Sequence, residues 1–189
     1  MKHLKTIAIA LLVTISSTVA TTAQIKQIKA DKSTITWVGK KVTGQHTGNI
    51  SFQEGTLTFK KNKLTGGNFT VNMTSITCTD LSGEWRDKLL GHLKSDDFFG
   101  VDKFKTATLA FKKIKAKGND VYTISGDLTI KGITNPVSFD LTVNKDKATT
   151  TLKINRTKYG IKYGSGSFFD NLGDKTINDD FELTVNLQF

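Results

Sequence analysis

Apolar and polar residues alternate along most of this chain. Thr34 to Val38 opens the pattern with β-branched and aromatic residues. His46, Gly48, Ile50 and Phe52 share one parity, Glu54-Gly55 reads as a turn, and Leu57 and Phe59 then alternate with Thr56, Thr58 and Lys60. Asn62-Lys63 and Gly66-Gly67 punctuate the next connection, and Phe69, Val71 and Met73 follow against Asn68, Thr70, Asn72 and Thr74. Period two marks a strand with one buried face, and the Gly, Asn and Asp residues between the runs suit turns. Farther on, Leu109 and Phe111 are in phase and Ile114 is not, which predicts a bulge. Clean alternation returns at Tyr122 to Ile130, Val137 to Val143, Leu152 to Ile154 and Phe181 to Phe189.

Two stretches break the rhythm. In Leu81 to Gly100, Leu81, Trp85, Leu89 and Leu93 recur four apart, the spacing of one helix face. Asp80 or Ser82 is placed to cap the start, and Gly91 or Gly100 to help end the turns. Tyr159 to Asp180 holds four glycines among Phe168, Phe169 and Leu172 and reads as a long ordered loop. About eight or nine consecutive strands with one apolar face must pair as two sheets or close on themselves. The expected fold is mainly β: an antiparallel barrel of about eight strands, with one amphipathic helix near one end and an apolar interior. A sandwich is the runner-up.

Lys2 and Lys5 precede a short apolar run, Ile7 to Ile15, and Ala20 and Ala23 follow as candidate cleavage positions. This is the layout of a secretory signal peptide over residues 1–23, leaving 24–189 as one domain, periplasmic or secreted. Loss of Lys2 and Lys5 lowers the formal charge from +10 to +8. The remaining lysines are scattered through strands and turns without a nucleic-acid motif, so a solvated basic exterior is the plainer reading. Transient contact with a membrane surface and a homodimer are compatible with it. Cys78 is the single cysteine, so no internal disulfide forms, and nothing near it in sequence would lower its pKa.

Arg156 continues the inward parity of Leu152 and Ile154. It either bonds a ligand's polar head or forms a structural pair with an internal acid such as Asp97, Asp170 or Asp180. Buried arginines are usually paired within the protein, which favours the second. Trp85, Phe98, Phe99, Phe168 and Phe169 suit a tunnel mouth or a set of core plugs equally. With Arg156 and these five, Trp37, Phe52, Phe69, Met73, Leu89, Phe111, Phe139 and Tyr159 complete the candidate ligand-lining set. His46 and His92 lack metal-site spacing, Gly164 to Ser167 lacks the lysine of a phosphate loop, and no nucleophile–base spacing points to catalysis.

The segments STITWVGKKVTGQHTGNISFQEGTLTF, LTGGNFTVNMTSI, GHLKSDDFFGVDKF, SGDLTIKGITNPVSF and NRTKYGIKYGSGSFFDNLGDKTINDDFEL resemble the YceI-like family over nearly all of the expected mature chain. SDDFF, GDLTIKGIT and the motif at Arg156, Tyr159 and Gly160 are the most specific. The resemblance implies an exported, lipocalin-like barrel without a cofactor. It further implies an apolar tunnel for a polyisoprenoid lipid, such as an isoprenoid quinone or a polyprenyl phosphate, held for sequestration or transport. An enzyme acting on such a lipid and a filled-core structural or interaction domain are the alternatives.

Overall fold

The computed structural model describes residues 22–189. The signal peptide expected over 1–23 therefore lies, but for its last two residues, outside the described residues. Among the described residues nine strands run as β1 (Gln24–Gln27), β2 (Thr34–Lys41), β3 (Gly44–Lys60), β4 (Lys63–Asn72), β5 (Thr106–Gly118), β6 (Val121–Ile130), β7 (Ile133–Asn144), β8 (Lys147–Asn155) and β9 (Ile177–Gln188), with one α-helix, α1 (Gly83–Lys94), between β4 and β5. Every pairing is antiparallel. The order β3-β2-β9-β8-β7-β6-β5-β4 returns to β3, so eight strands close a barrel. Closure removes the sheet edges that a sandwich would leave. β1 lies outside the ring, on the far half of β3, where Gln24 faces Phe59 and Gln27 faces Thr56. Its sequence, QIKQ, has no apolar alternation and gave no signal.

Glu54-Gly55 is not a turn. It sits in a bulge of the continuous 17-residue β3, where the register to β4 shifts between Phe52 and Glu54. The extra residue switches the inward parity from Ile50 and Phe52 to Leu57 and Phe59 and bends the strand round the barrel. Gly55 suits this place because a Cβ there would meet the Phe69 ring at 2.5 Å. Gly66-Gly67 likewise lies within β4, not in a connection. The real reversal is Lys61-Asn62, both with positive φ, a geometry that matches the twist of a two-residue hairpin. The bulge expected in β5 occurs between Phe111 and Lys113.

The strand directions divide the molecule into two ends. The tight turns β3–β4, β5–β6 and β7–β8 gather at one end with both ends of the described chain. There Phe59 stacks on Phe189 at 5.8 Å and closes the interior. The β2–β3 and β6–β7 turns, α1 and the 156–176 segment gather at the other end, the mouth.

Ser82 is the N-cap residue of α1 but makes no side-chain capping bond. Asp80 instead accepts hydrogen bonds from Thr47 N–H and the Cys78 thiol and bonds His46. Gly91 is inside the helix and does not end it; Gly100, at φ +56°, takes the tight turn that follows. No α1 residue is fully buried. Leu81, Leu89, Leu90 and Leu93 pack half-buried on the barrel, while Trp85 is 74% exposed. The four-apart stripe is real, but its first helical member lies beyond the wall it was expected to cover.

Candidate functional site

The inward side chains of the barrel do not meet across its axis. Val71, Leu109, Leu128, Leu152, Leu183 and Val185 face inward yet stay only partly buried, because they border empty space. Near the mouth is a chamber of about 140 Å³. Deeper lies a second of about 90 Å³. Ile35, Val71, Leu128 and Leu183 border both and form a waist between them.

Packing builds the walls of the deep chamber. Phe52, Phe69, Phe111 and Phe139 form a chain of rings, with successive centroids at 6.0, 5.5 and 6.0 Å. Such tilted contacts hold rings more firmly than area alone. Apart from Thr150, its lining side chains are apolar.

In the mouth chamber Trp37 and Met73 face Leu93, Phe98 and Phe99 from the α1 side. The Trp37 indole donates to the Thr77 carbonyl at 3.0 Å. Gly48 permits this, since a Cβ there would stand 1.8 Å from the same oxygen. Thr77 and Thr79 N–H groups donate to Asn49 and Thr47 carbonyls, so this segment extends the sheet where β4 ends and leads the chain to α1.

Arg156 borders the mouth chamber at 3% exposure, but four of its five N–H groups are committed. Nε donates to Asn178 O at 2.9 Å, Nη1 to Ile161 O and Tyr163 O at 2.9 Å each, and Nη2 to Ile177 O at 3.0 Å. Asp179 Oδ1 stands 3.7 Å from Nη2. The acid beside Arg156 is thus Asp179, not Asp97, Asp170 or Asp180, and backbone carbonyls do most of the bonding. Burial pushes the guanidinium pKa below its ordinary value, and Asp179 opposes that. Burial works to raise the Asp179 pKa, but hydroxyl hydrogen bonds and the Arg156 charge outweigh it and hold it low. Phe98 closes the last face, its ring 5.7 Å from Arg156 Cζ.

Of the candidate residues, Trp37, Met73, Phe98, Phe99 and Arg156 line the mouth chamber, and Phe52, Phe69, Phe111 and Phe139 line the deep one. Five lie outside both. Trp85, Phe168 and Phe169 face solvent, the last two at 47% and 50% exposure. Leu89 packs half-buried on the barrel, and Tyr159 is buried in the 3-10 turn Arg156–Tyr159 behind the strands. Aromatic character identified four of these and the helical stripe Leu89; their position on a loop, a turn or α1, which periodicity does not resolve, put them elsewhere. The aliphatic waist was missed, although each member carries the inward parity of its strand. Of the polar residues at the mouth, Asp180 was considered only as a partner for Arg156, and Lys40 and Asn178 were not singled out as lining.

The structure also brings together Cys78, Asp80 and His46, which sequence spacing had not joined. The Cys78 Sγ to Asp80 Oδ1 distance is 3.2 Å and the His46 Nδ1 to Asp80 Oδ2 distance 2.9 Å. Burial, then the hydrogen bond to Asp80, raises the thiol pKa, so Cys78 is a protonated donor and not a nucleophile. Burial tends to raise the Asp80 pKa, but bonds from Thr47, His46 and Cys78 lower it to about 2. The cluster ties the segment before α1 to β3.

The family model for a YceI-like domain matches residues 27–189. A UPF0312 protein of Staphylococcus aureus strain USA300 is 40% identical over 83 residues, 38% of this chain and 46% of that one. Protein YceI of Escherichia coli O17:K52:H18 is 39% identical over 89 residues, 46% of this chain and 43% of that one. The aligned stretches thus span just under half the length of these relatives. Among solved structures, Burkholderia cenocepacia BcnA superposes with a TM-score of 0.68 at 22% identity, covering 85% of this chain and 98% of that one. A polyisoprenoid binding domain from Saccharophagus degradans superposes with a TM-score of 0.58 at 12% identity, covering 89% and 97%. Both likenesses are of fold.

Proposed function

The chain belongs to the YceI-like family, and on that premise we propose that it is an exported binding protein holding one long apolar lipid of isoprenoid type inside the barrel, for sequestration or transport. The observation that carries this is the pair of apolar chambers joined at a waist. An apolar cavity of about 150 Å³ stays dry and takes a benzene-sized guest. Each chamber is of that order or smaller, so a narrow chain suits the deep interior better than a wide rigid ring system. A thin, flexible chain threads the waist if Phe98, Phe99 and Leu93 give way at the mouth. The relative from Saccharophagus degradans is described as polyisoprenoid binding, which supports the same class. The leader read from the sequence supports export.

The polar groups at the mouth select among heads. Arg156 gives four of its five N–H groups to carbonyls and faces Asp179, and Lys40 is engaged with Glu182 at 3.0 Å. Asp180 adds negative charge. Among the described lining residues no uncommitted cation faces the chamber, so a neutral carbonyl-bearing head, as in an isoprenoid quinone, suits this mouth better than a polyprenyl phosphate. The chambers lack a nucleophile–base pair, which favours binding over catalysis. Organic extraction of the protein purified from its exported fraction, followed by mass spectrometry, tests the cargo; titration with an isoprenoid quinone and a polyprenyl phosphate tests the head. A quinone that binds more tightly is expected. Tighter phosphate binding overturns the head assignment, and an empty extract with no binding of either overturns the lipid reading.

A further inference from the structure

The exposed aromatic residues, Trp85, Tyr163, Phe168 and Phe169, share the mouth end. Trp85 and His92 are seven apart on α1, nearly two turns, so they lie on one face about 10 Å apart along the axis. The His92 ring meets Tyr163 edge-on at 4.3 Å and Phe98 at 5.1 Å. Tyr163 in turn leads into the turn that displays Phe168 and Phe169. That turn is built: Phe168 N–H and Phe169 N–H both donate to Ser165 O, at 3.1 and 3.0 Å, and Ser165 is fully buried. Arg156 anchors the same segment through Ile161 O and Tyr163 O. The exposure of Tyr163, Phe168 and Phe169 is therefore held in place by packed structure, Trp85 stands exposed on the helix that carries His92, and through Phe98 the patch is continuous with the mouth chamber.

Two of these rings carry a lysine. Lys162 Nζ stands 4.6 Å from the Phe168 centroid and Lys88 Nζ 5.3 Å from that of Trp85. Aromatic rings flanked by ammonium groups match a bilayer surface, where rings sit at the carbonyl level and ammonium groups reach the phosphates. We propose that the barrel docks mouth-first on a phospholipid bilayer, with Trp85, Tyr163, Phe168 and Phe169 entering the headgroup region. The mouth then opens onto the acyl chains, and a long apolar guest passes between membrane and tunnel without crossing water. That use of the surface rests on the lipid-carrier reading; the docking itself does not and is measured on lipid-stripped protein.

The opposite pole sharpens the test. Lys26, Lys60, Lys61, Lys63, Lys145 and Lys147 crowd the closed end, where Lys26 Nζ lies 5.3 and 5.0 Å from Phe59 and Phe189. An anionic membrane would draw that pole and invert the barrel, through contacts that salt screens. Ring insertion is apolar and tolerates salt.

The experiment adds phosphatidylcholine vesicles, and separately vesicles also holding phosphatidylglycerol, to the stripped protein at low and high salt. Trp37 is buried, so a change in tryptophan emission reports Trp85. The proposal expects a blue shift on phosphatidylcholine alone that survives high salt, is quenched by brominated acyl chains and is absent in Trp85→Phe. Flotation, which needs no tryptophan, should show partitioning of the Phe168→Ala/Phe169→Ala double variant falling about tenfold, since each ring loses part of its transfer energy. Three results overturn the proposal. One is no flotation on phosphatidylcholine. Another is binding only to anionic vesicles, lost in salt and in Lys60→Gln/Lys61→Gln, with Trp85 emission unmoved. The third is a blue shift that grows with protein concentration without vesicles, which assigns the patch to a second copy. Vesicle binding with an empty lipid extract would refute the cargo and leave the docking standing.

Discussion

Arg156→Leu is the sharpest test of what holds the mouth together. The substitution removes four hydrogen bonds and leaves the carbonyls of Ile161, Tyr163, Ile177 and Asn178, together with the Asp179 carboxylate, without the charge they face. A hydrogen bond to a charged group contributes about 1.5–3 kcal/mol. Four summed would give about 6–12 kcal/mol, as much as the roughly 5–15 kcal/mol that is typical of a whole domain. Bonds sharing one guanidinium do not add, and removing one partner of a buried charge pair costs about 3–5 kcal/mol. That range is the expected loss. With a urea slope of about 2 kcal/mol/M, the unfolding midpoint should fall by roughly 1.5–2.5 M. Arg156→Lys should recover only a part, because an ammonium keeps the charge but cannot span four carbonyls with a planar fork. Hydrogen exchange should localise the damage: the amides of Ile161 and Ile177, which donate to Arg156 O and Gly164 O, lose protection before those of β6 and β7. A variant with an unchanged midpoint and weakened lipid binding would refute this reasoning and return Arg156 to the role of a head-group ligand.

Leu128→Trp fills the waist from a position with empty space before it. It should keep the fold, at a cost of about 1–3 kcal/mol for added bulk, and abolish lipid capture in the extract; an unchanged lipid load means that the guest does not thread the waist. Trp85→Ala should change stability by no more than about 0.5 kcal/mol, as expected for an exposed side chain, and a large fall in the thermal midpoint would show that the first turn of α1 is packed. The Asp80 pKa is lowered on folding, so the stability it brings is present above the ordinary carboxylate pKa and is lost as pH falls through about 2. Asp80 is 30% exposed, so solvent screening limits the effect to about 1 kcal/mol. Asp80→Asn should remove that dependence between pH 4 and 2, and an unaltered pH profile would show that the tie to β3 does not rest on the charge.

The barrel was legible because each strand from β5 to β9 carries one parity from end to end, or breaks it where a bulge occurs. Phe139, Leu141 and Val143 face inward as their spacing requires. β3 was misread because a bulge and a turn present the same signal, a glycine after an acid and a change of phase. Only tertiary contact, the Phe69 ring lying over Gly55, separates the two. The inward face of Arg156 was legible as well, but its partners were not. Four of them are carbonyls, which every residue has, so composition carries no trace of them. Trp85 marks the limit of helical periodicity: spacing reports which side chains share a face, not how far the partner surface extends beneath it.

The mouth combines a fixed side and a yielding one. On the fixed side the 156–176 segment is nailed by Arg156, with Tyr159 and Ile161 fully buried beneath it. Opposite, α1 has no fully buried residue and rests on half-buried leucines, and the Phe98–Phe99 turn contacts Phe181 and Tyr163 through ring edges. Elements with little buried apolar contact open at low free energy while the rest stays folded. On the lipid-binding reading proposed above, a guest would enter where the wall yields, so α1 would be the gate and the arginine-anchored loop its frame. This division resolves the conflict between holding a lipid and releasing it. In the docking proposed above, the frame would hold Tyr163, Phe168 and Phe169 while the helix that carries Trp85 moves, and the closed end, where Phe59 packs on Phe189, stays folded.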